Sequence, residues 1–96
     1  MNLDELRERW REDILRLAER HGARNVRVFG SLARGEATAA SDLDLLVEME
    51  PGRSLLDLIG FNQDLEDALG IHVDVLTEDG LSPYMQDDIL HQAVAL

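Results

Sequence analysis

Cysteine and lysine are both missing from this chain of 96 residues, and only four residues are aromatic. The absence of cysteine excludes disulfides and thiolate metal sites and fits the cytoplasm, where we expect the protein to act. Without lysine, any fixed positive charge that meets a phosphate comes from arginine or from a bound metal ion. Apolar runs are much shorter than the roughly 20 residues of a membrane-spanning helix, so we expect no membrane partner. The charged, amphipathic start of the sequence does not resemble a secretion signal.

Negative charge is concentrated in the second part of the chain. Residues 1–35 contain eight of the nine arginines and six acidic residues, whereas residues 36–96 contain one arginine and fourteen acidic residues. The net charge of the whole chain is −11. Such a surface repels phosphate backbones, so long DNA or RNA is not expected as a ligand. Cations or a basic protein partner suit it better.

Hydrophobic patterning predicts helices that alternate with strands. Apolar residues recur at helical spacing over 3–20, over 55–69 and from 83 onward, and Ser54 and Ser82 are candidate N-caps. Three β-prone runs, at 26–29, 42–48 and 71–76, predict strands. With a short helix after the first strand, the order is α-β-α-β-α-β-α. This order favours one α/β domain over residues 1–96, with a small mixed β-sheet of about three strands flanked by helices. The last helix is expected to face the core with Met85, Ile89, Leu90, Ala93 and Val94.

Three aspartates are predicted to meet on one face of this sheet. Side chains alternate along a strand, so Asp42 and Asp44 share the face opposite to the apolar residues of their strand. Asp74, together with His72, has the equivalent position on the third strand. If the two strands are neighbours, three carboxylates come together and repel one another, and a divalent cation is the natural compensation. Mg²⁺ favours carboxylate, water and phosphate oxygens, and two ions about 3.5–4 Å apart stabilise an in-line phosphoryl displacement.

A phosphate-binding turn is predicted upstream of these aspartates. Gly30 and Ser31 follow the first strand and open the short helix, where a glycine allows close backbone approach and the first amides attract anions. The Ser31 hydroxyl adds a donor. Arg34 either contacts a phosphate or braces the turn through Glu36 or a carbonyl. Ten residues separate Gly-Ser from the Asp-x-Asp pair, so donors for a triphosphate would lie opposite metal ligands.

The segments GSLARGE at 30–36 and SDLDLLV at 41–47 together resemble the signature of the DNA polymerase β-type nucleotidyltransferases. In particular, nearly the whole chain resembles the minimal nucleotidyltransferases of bacteria and archaea. The resemblance implies a nucleotidyltransferase fold, ATP as substrate and a magnesium site. It implies that Gly30 and Ser31 bind the triphosphate, that Asp42 and Asp44 hold Mg²⁺, and that Asp74, the third carboxylate of the metal site, positions or activates the acceptor hydroxyl.

The same resemblance implies a protein partner. Minimal nucleotidyltransferases are commonly antitoxins of small helical HEPN toxins, and they resemble enzymes that transfer AMP from ATP to a tyrosine of the toxin. Two other interpretations stay open. One is a non-catalytic antitoxin that neutralises its partner by complex formation. The other is a small-molecule nucleotidyltransferase similar to those that modify aminoglycosides, which would need a homodimer or hetero-oligomer to complete its acceptor pocket.

Several other polar or aromatic residues have simpler interpretations. His21 is expected near a helix end, where interaction with the helix dipole is sufficient to explain it. His91 is expected on a helix surface, and Tyr84 is expected to be packed. Ser41 is a candidate to shape the loop or to orient the carboxylate of Asp42 through a hydrogen bond.

Overall fold

The computed structural model describes residues 1–38 and 41–96 and contains a four-stranded mixed sheet. Its strands are β1 (Ala23–Phe29), β2 (Leu43–Met49), β3 (Val73–Thr77) and β4 (Val94–Ala95). They lie in the order β3-β2-β1-β4. β1 pairs antiparallel with both β2 and β4, whereas β2 and β3 are parallel. The predicted mixed α/β architecture is therefore confirmed, with one strand more than expected.

Helices fill the connections between the strands. In chain order they are α1 (Leu3–Glu5), a π-helical turn (Leu6–Trp10), α2 (Arg11–His21), α3 (Gly30–Arg34), α4 (Leu55–Leu69), a 3₁₀ turn (Glu78–Gly80) and α5 (Pro83–Gln92). Ser54 precedes α4 as predicted, and its N–H donates to Oδ2 of Asp57 at 2.9 Å. That backbone hydrogen bond lowers the pKa of Asp57. In the described part of the chain, no helix combines the length and apolar character needed to cross a bilayer.

The main core lies between one face of the sheet and the helices α2 and α4. Leu43, Leu45 and Val47 of β2 are fully buried there, as the alternation in the sequence predicts. Ile14 of α2 and Phe61 of α4 are fully buried against them. Burying an apolar side chain of this size stabilises the folded state by roughly 1.5–3 kcal/mol, so this face contributes most of the stability of the fold.

The opposite face of the sheet has a much thinner apolar cover. Its buried residues are Phe29, Leu46 and Ile89, and the last of these is the contribution of α5. Asp44 lies two residues before Leu46 on β2 and therefore on the same face. Asp74, on the neighbouring strand, keeps 53% of its side chain exposed. The carboxylates thus lie on the thinly covered face, near the amino ends of β2 and β3.

The end of the chain differs from the helix that its apolar pattern predicts. α5 ends at Gln92, and Val94 belongs to β4, where it pairs with Val28 of β1. The extended end of the chain pairs with backbone N–H and C=O groups along the outer edge of β1. A longer α5 would leave these groups unpaired. The prediction of a helical Val94 was therefore wrong, because a long-range strand pairing outweighs the local period.

The apolar residues of α5 are also less buried than predicted. Ile89 is buried and Ala93 packs beside it, but Met85 and Leu90 are 55% and 36% exposed. Tyr84 is 95% exposed, so the expectation that it is packed was wrong. α5 reaches the sheet mainly through Ile89, which leaves most of its apolar side chains outside the core.

Candidate active site

The amino ends of the parallel strands β2 and β3 bring the three predicted aspartates together. Asp44 and Asp74 are direct partners in the register of the two strands. Asp42 immediately precedes β2, rather than lying within it, and the next residue, Leu43, donates its N–H to the carbonyl of His72 at 3.1 Å. Asp42, His72 and Asp74 each place one potential ligand atom within 4.8 Å of the others, and all three residues are exposed. The proximity of these groups creates an open acidic site.

This arrangement makes the ionised form of the Asp44 carboxyl less favourable. Its partial burial raises its pKa, and the neighbouring charges of Asp74 and Asp42 raise it further. The positive charges of Arg34 and His72 oppose these effects but do not cancel them. A carboxylate in such surroundings gains from any cation that binds beside it.

Gly30 makes room for Asp44. The residue before it, Phe29, is the register partner of Asp44, so the turn that ends β1 lies beside this carboxylate. Gly30 has a φ of +74°, and a Cβ at this position would collide with Oδ2 of Asp44. From the sequence, this glycine is predicted to allow the close approach of a phosphate. The structure adds a second reason for it, because a side chain here would displace a predicted metal ligand.

Arg34 braces the turn in this structure. Its Nε donates to Oε2 of Glu36 at 3.0 Å, and its Nη1 donates to Oε1 of Gln92 at 2.9 Å. The Glu36 N–H in turn donates to the carbonyl of Ser31 at 2.9 Å. These are the contacts of a brace, one of the two roles considered from the sequence, and the phosphate contact of Arg34 stays a prediction. The brace links α3 to the end of α5 and fixes the predicted phosphate-binding turn.

A chain of polar contacts from Glu66 through His72 to Asp74 is the feature that sequence reasoning missed. Nδ1 of His72 lies 3.0 Å from Oε2 of Glu66, and Nε2 of the same ring lies 3.2 Å from Oδ1 of Asp74. The hydrogen bond to Glu66 raises the pKa of His72, and the negative charges of Asp74 and Asp42 act in the same direction. His72, only a secondary candidate from the sequence, thus connects the acidic site to α4.

Glu66 also belongs to a polar seam that holds α4 against the outer edge of β3. The N–H of Val75 donates to Oδ1 of Asn62 at 2.9 Å, and the N–H of Val73 donates to Oε2 of Glu66 at 3.4 Å. Nδ2 of Asn62 donates to Oε1 of Glu66 at 3.1 Å. Two polar residues one turn apart on an otherwise apolar helix face were the available signal in the sequence.

The remaining candidate residues lie outside the acidic site. Ser41 shapes the preceding loop, because its Oγ accepts the N–H of Thr38 at 2.8 Å. Nε2 of His21 lies 2.6 Å from Oδ2 of Asp64, so this histidine has an ionic partner as well as the helix end that the sequence predicted. His91 is exposed, as expected, and Nδ1 of its ring donates to a carbonyl of its own helix.

The donor set of the acidic site fits a hard divalent cation. Carboxylate oxygens of Asp42, Asp44 and Asp74 are the ligands that Mg²⁺ prefers, and their open side leaves space for waters and phosphates. Both ring nitrogens of His72 have carboxylate neighbours. Nδ1 of this imidazole is occupied by Glu66, whereas Nε2 faces the acidic site, where His72 is a further potential ligand beside Asp42 and Asp74.

Comparison with known proteins places these features in one family. Residues 3–96 match the family model described as a nucleotidyltransferase domain. The chain is 41% identical over 78 residues to the protein adenylyltransferase MntA of Thermococcus cleftensis, covering 81% of this chain and 79% of that protein. A solved structure described provisionally as a minimal nucleotidyltransferase is 52% identical with a TM-score of 0.85, covering all of this chain and 97% of the other. A toxin–antitoxin crystal structure with AMP-PNP has the same fold, with a TM-score of 0.74, 21% identity, and coverage of 88% of this chain and 69% of the other.

Proposed function

This chain belongs to the nucleotidyltransferase domain family, and we propose that it is an antitoxin that transfers AMP from ATP to a hydroxyl of a partner toxin. The observation that carries the proposal is the meeting of three aspartates at two parallel strand ends. Asp44 and Asp74 are register partners, and Asp42 offers a ligand atom within 4.8 Å of one from Asp74. Gly30 leaves free the space that the carboxylate of Asp44 occupies. The adenylyltransferase name of the Thermococcus relative and the AMP-PNP in the toxin–antitoxin structure support the nucleotide and the partner class.

In this proposal the acidic site holds Mg²⁺ and the turn at the end of β1 holds the triphosphate. Asp42 and Asp44 are the main metal ligands, and Asp74 completes the set from β3. Mg²⁺, when bound, neutralises charge on the phosphates and polarises the α-phosphorus. Gly30 and Ser31 supply backbone and hydroxyl donors to the phosphates. Arg34 keeps this turn in position through its bonds to Glu36 and Gln92.

The chemical step is an in-line displacement at the α-phosphorus of ATP. The acceptor oxygen forms a new bond to this phosphorus, and the bond from the phosphorus to the oxygen bridging the α- and β-phosphates breaks. Pyrophosphate leaves with that oxygen. Asp74 accepts the proton of the acceptor hydroxyl, and His72 holds one of its oxygens. Such a reaction requires positioning and charge stabilisation more than covalent participation by the protein.

The partner that we propose is a helical HEPN-type toxin, and the acceptor is one of its tyrosines. A basic, RNA-binding protein matches the fourteen acidic residues of the second part of this chain. We place both proteins in the cytoplasm and the whole reaction on a single domain of residues 1–96.

The decisive experiment is a transfer assay with ATP labelled at the α-phosphate. The purified chain, Mg²⁺ and the protein encoded by the neighbouring gene are incubated, and label on that protein is measured. We expect transfer that depends on Mg²⁺ and falls by at least about 10³-fold in the variant Asp42→Asn/Asp44→Asn, because several kcal/mol of metal-dependent stabilisation is lost. The matched control is Asp67→Asn/Asp87→Asn, which removes the same charge from two exposed helix positions.

The outcomes separate the interpretations that the sequence left open. Label on a tyrosine of the partner, lost only in the site variant, supports the proposal. A complex that forms and suppresses toxicity without any transfer, and that survives the double substitution, would establish a non-catalytic antitoxin. Transfer to a hydroxylated antibiotic, with none to the partner protein, would establish a small-molecule enzyme.

A further inference from the structure

An open groove runs along α4 beside the outer edge of β3. A cavity of about 400 Å³ lies between this helix and Val75, and a second cavity of about 540 Å³ lies around the amino end of α4. The two cavities share Leu55 and Leu58 in their walls, so they adjoin at the first turn of α4. We call the two adjoining cavities the α4 groove; Ile59, Asn62, Glu66 and Val75 line the first of them, and Asp79 lines the second.

Three of the most exposed large aliphatic side chains of the described residues lie at the start of α4, and two of them line the α4 groove. Leu55 and Ile59, which line it, are 68% and 44% exposed, and Leu56, 78% exposed, lies beside the groove. Large apolar side chains clustered on one helix face, above a depression, are typical of a surface that another protein covers. Folding of this chain alone leaves them in water.

The charged rim of this groove is mainly acidic. The side chains that line the two cavities include four carboxylates and two guanidinium groups. One of these guanidinium groups, that of Arg53, is held by Glu50 and Asp57 at 3.7 and 3.5 Å. One of the carboxylates, that of Glu78, is likewise held by Arg27 at 2.8 Å. The other three carboxylates still outnumber the one other guanidinium group. An apolar floor with a net negative rim complements a helix that has an apolar stripe flanked by basic residues. A second copy of this chain also has a net charge of −11, so it would be repelled by the acidic rim.

The groove ends beside the acidic site. From Leu55 to Glu66 the helix advances roughly 17 Å, or about three turns. Glu66 lies 3.0 Å from His72, whose other nitrogen lies 3.2 Å from Asp74. A segment bound along the groove would therefore bring the residues that follow it close to Asp74, the carboxylate proposed to accept the proton of the acceptor hydroxyl.

We propose that the α4 groove binds a basic amphipathic helix of the same protein that donates the acceptor hydroxyl. This inference rests on the proposed function, because it assumes an acceptor that is a protein. The groove provides the affinity and direction of approach, while the acidic site provides the chemistry. Docking and transfer are thus carried by different residues and are separable by substitution.

The test measures binding of the neighbouring gene's protein to this chain by titration calorimetry, in the transfer-inactive Asp42→Asn/Asp44→Asn background. Ile59→Asp is compared with Leu15→Asp, because Ile59 and Leu15 are helix residues with 44% and 43% exposure and only Ile59 lines the groove. We expect Ile59→Asp to weaken binding by at least about tenfold, as for a central interface residue. Leu15→Asp is expected to leave the affinity unchanged.

Three further variants keep the test independent of the effect of any one substitution on folding. Leu55→Asp places an acid in the first turn of α4, where the helix dipole favours it, and it should weaken binding to a similar extent. Asp79→Arg reverses one rim charge and should weaken binding to a basic partner, whereas Asp87→Arg on α5 should not. The affinity of the chain with an unsubstituted groove for the partner protein should fall as salt is added.

Each other outcome overturns either the proposed occupant of the groove or the proposed enzymatic function. Equal affinity for the Ile59 and Leu15 variants, or no binding to the unchanged groove, would overturn the proposal. Self-association that Leu55→Asp abolishes would assign the groove to a second copy. Groove-dependent binding without any transfer by the unsubstituted chain would instead refute the proposed enzymatic function and leave the docking surface in place.

Discussion

The two faces of the strands β2 and β3 are built from alternating residues of the same short segments, yet they have opposite physical character. On one face Leu43, Leu45 and Val47 are fully buried under α2 and α4. On the other face Asp44 and Asp74 lie side by side, and the apolar cluster that the described residues form beyond them is small. A shift of one residue in either strand would exchange the two sets.

This difference shows how so small a protein separates stability from chemistry. The covered face buries the apolar side chains that stabilise the fold. The other face can therefore hold several carboxylates close together, although their repulsion is destabilising. The raised pKa of Asp44 reflects both its partial burial and this repulsion. The four predictions below test whether the division between the faces is as sharp as the structure indicates.

The largest effect is expected on the covered face. Leu45→Ala should lower the free energy of unfolding by about 2–5 kcal/mol, because it leaves a cavity in a fully buried site. Its neighbour Leu46 is equally buried but belongs to the small cluster on the opposite face. Leu46→Ala should cost less, since a thinner cover can collapse into the space. Urea unfolding of both variants measures the change in the free energy of unfolding. Equal decreases for the two variants would contradict the contrast between the faces.

Gly30→Ala should damage the acidic face specifically. Left-handed backbone costs an alanine about 1–2 kcal/mol, and the new Cβ would also push the carboxylate of Asp44 aside. Gly35→Ala is the matched control, because φ is +73° there and nothing lies within 4 Å of the added atom. Both variants should lose stability in thermal unfolding, but only Gly30→Ala should lose affinity for Mg²⁺ in a titration. Loss of affinity in both would assign the effect to strain alone.

Asp44→Asn should leave the metal-free protein at neutral pH as stable as before, or more stable by less than about 1 kcal/mol, since the group is partly screened by water. The pKa of Asp44 is raised in the folded state from its ordinary value of 3.8. The folded state therefore binds more protons, and stability falls as pH rises above 3.8 through the folded-state pKa. Unfolding in EDTA as a function of pH should show this loss for the wild type and a smaller loss for the variant. Clear destabilisation by the substitution at neutral pH would show that the carboxylate supports the fold.

The smallest effect concerns His72, which is exposed. Its pKa is raised above the ordinary 6.5, first by the hydrogen bond to Glu66. Its stabilising contribution is thus fully present below 6.5 and is lost as pH rises through the folded-state value. His72→Gln should remove this part of the pH dependence of the unfolding midpoint. His91→Gln, at an exposed position on α5, should leave the dependence intact, and the reverse pattern would refute the assignment.

Local periodicity was sufficient to predict the carboxylate face and the core of β2. Alternation along a strand is a property of consecutive residues, so Asp42, Asp44 and Asp74 could be assigned before their strands were known to be adjacent. Long-range pairing was not accessible in this way. β4 forms because the end of the chain reaches the edge of β1, and its local sequence gave a helical pattern instead.

Side-chain partners from separate elements were the second gap. Glu66 lies on a helix that continues an apolar pattern, and nothing near it in the sequence points to a contact with His72. The exposure of Met85 and Tyr84 depends on how far α5 stands from the sheet, which no local pattern reports. The positions of the three aspartates were thus easier to predict than the side-chain partners around them, and their chemical role stays a prediction.

The most direct test of the division between the faces is a thermal unfolding series with and without Mg²⁺ and ATP. We expect Asp42→Asn/Asp44→Asn to unfold, without ligands, at a temperature no lower than the wild type does. We also expect Mg²⁺ with ATP to raise the unfolding temperature of the wild type alone, because ligands stabilise only a state that binds them. A variant that is stabilised as much as the wild type, or that is unfolded before any ligand is added, would contradict these expectations.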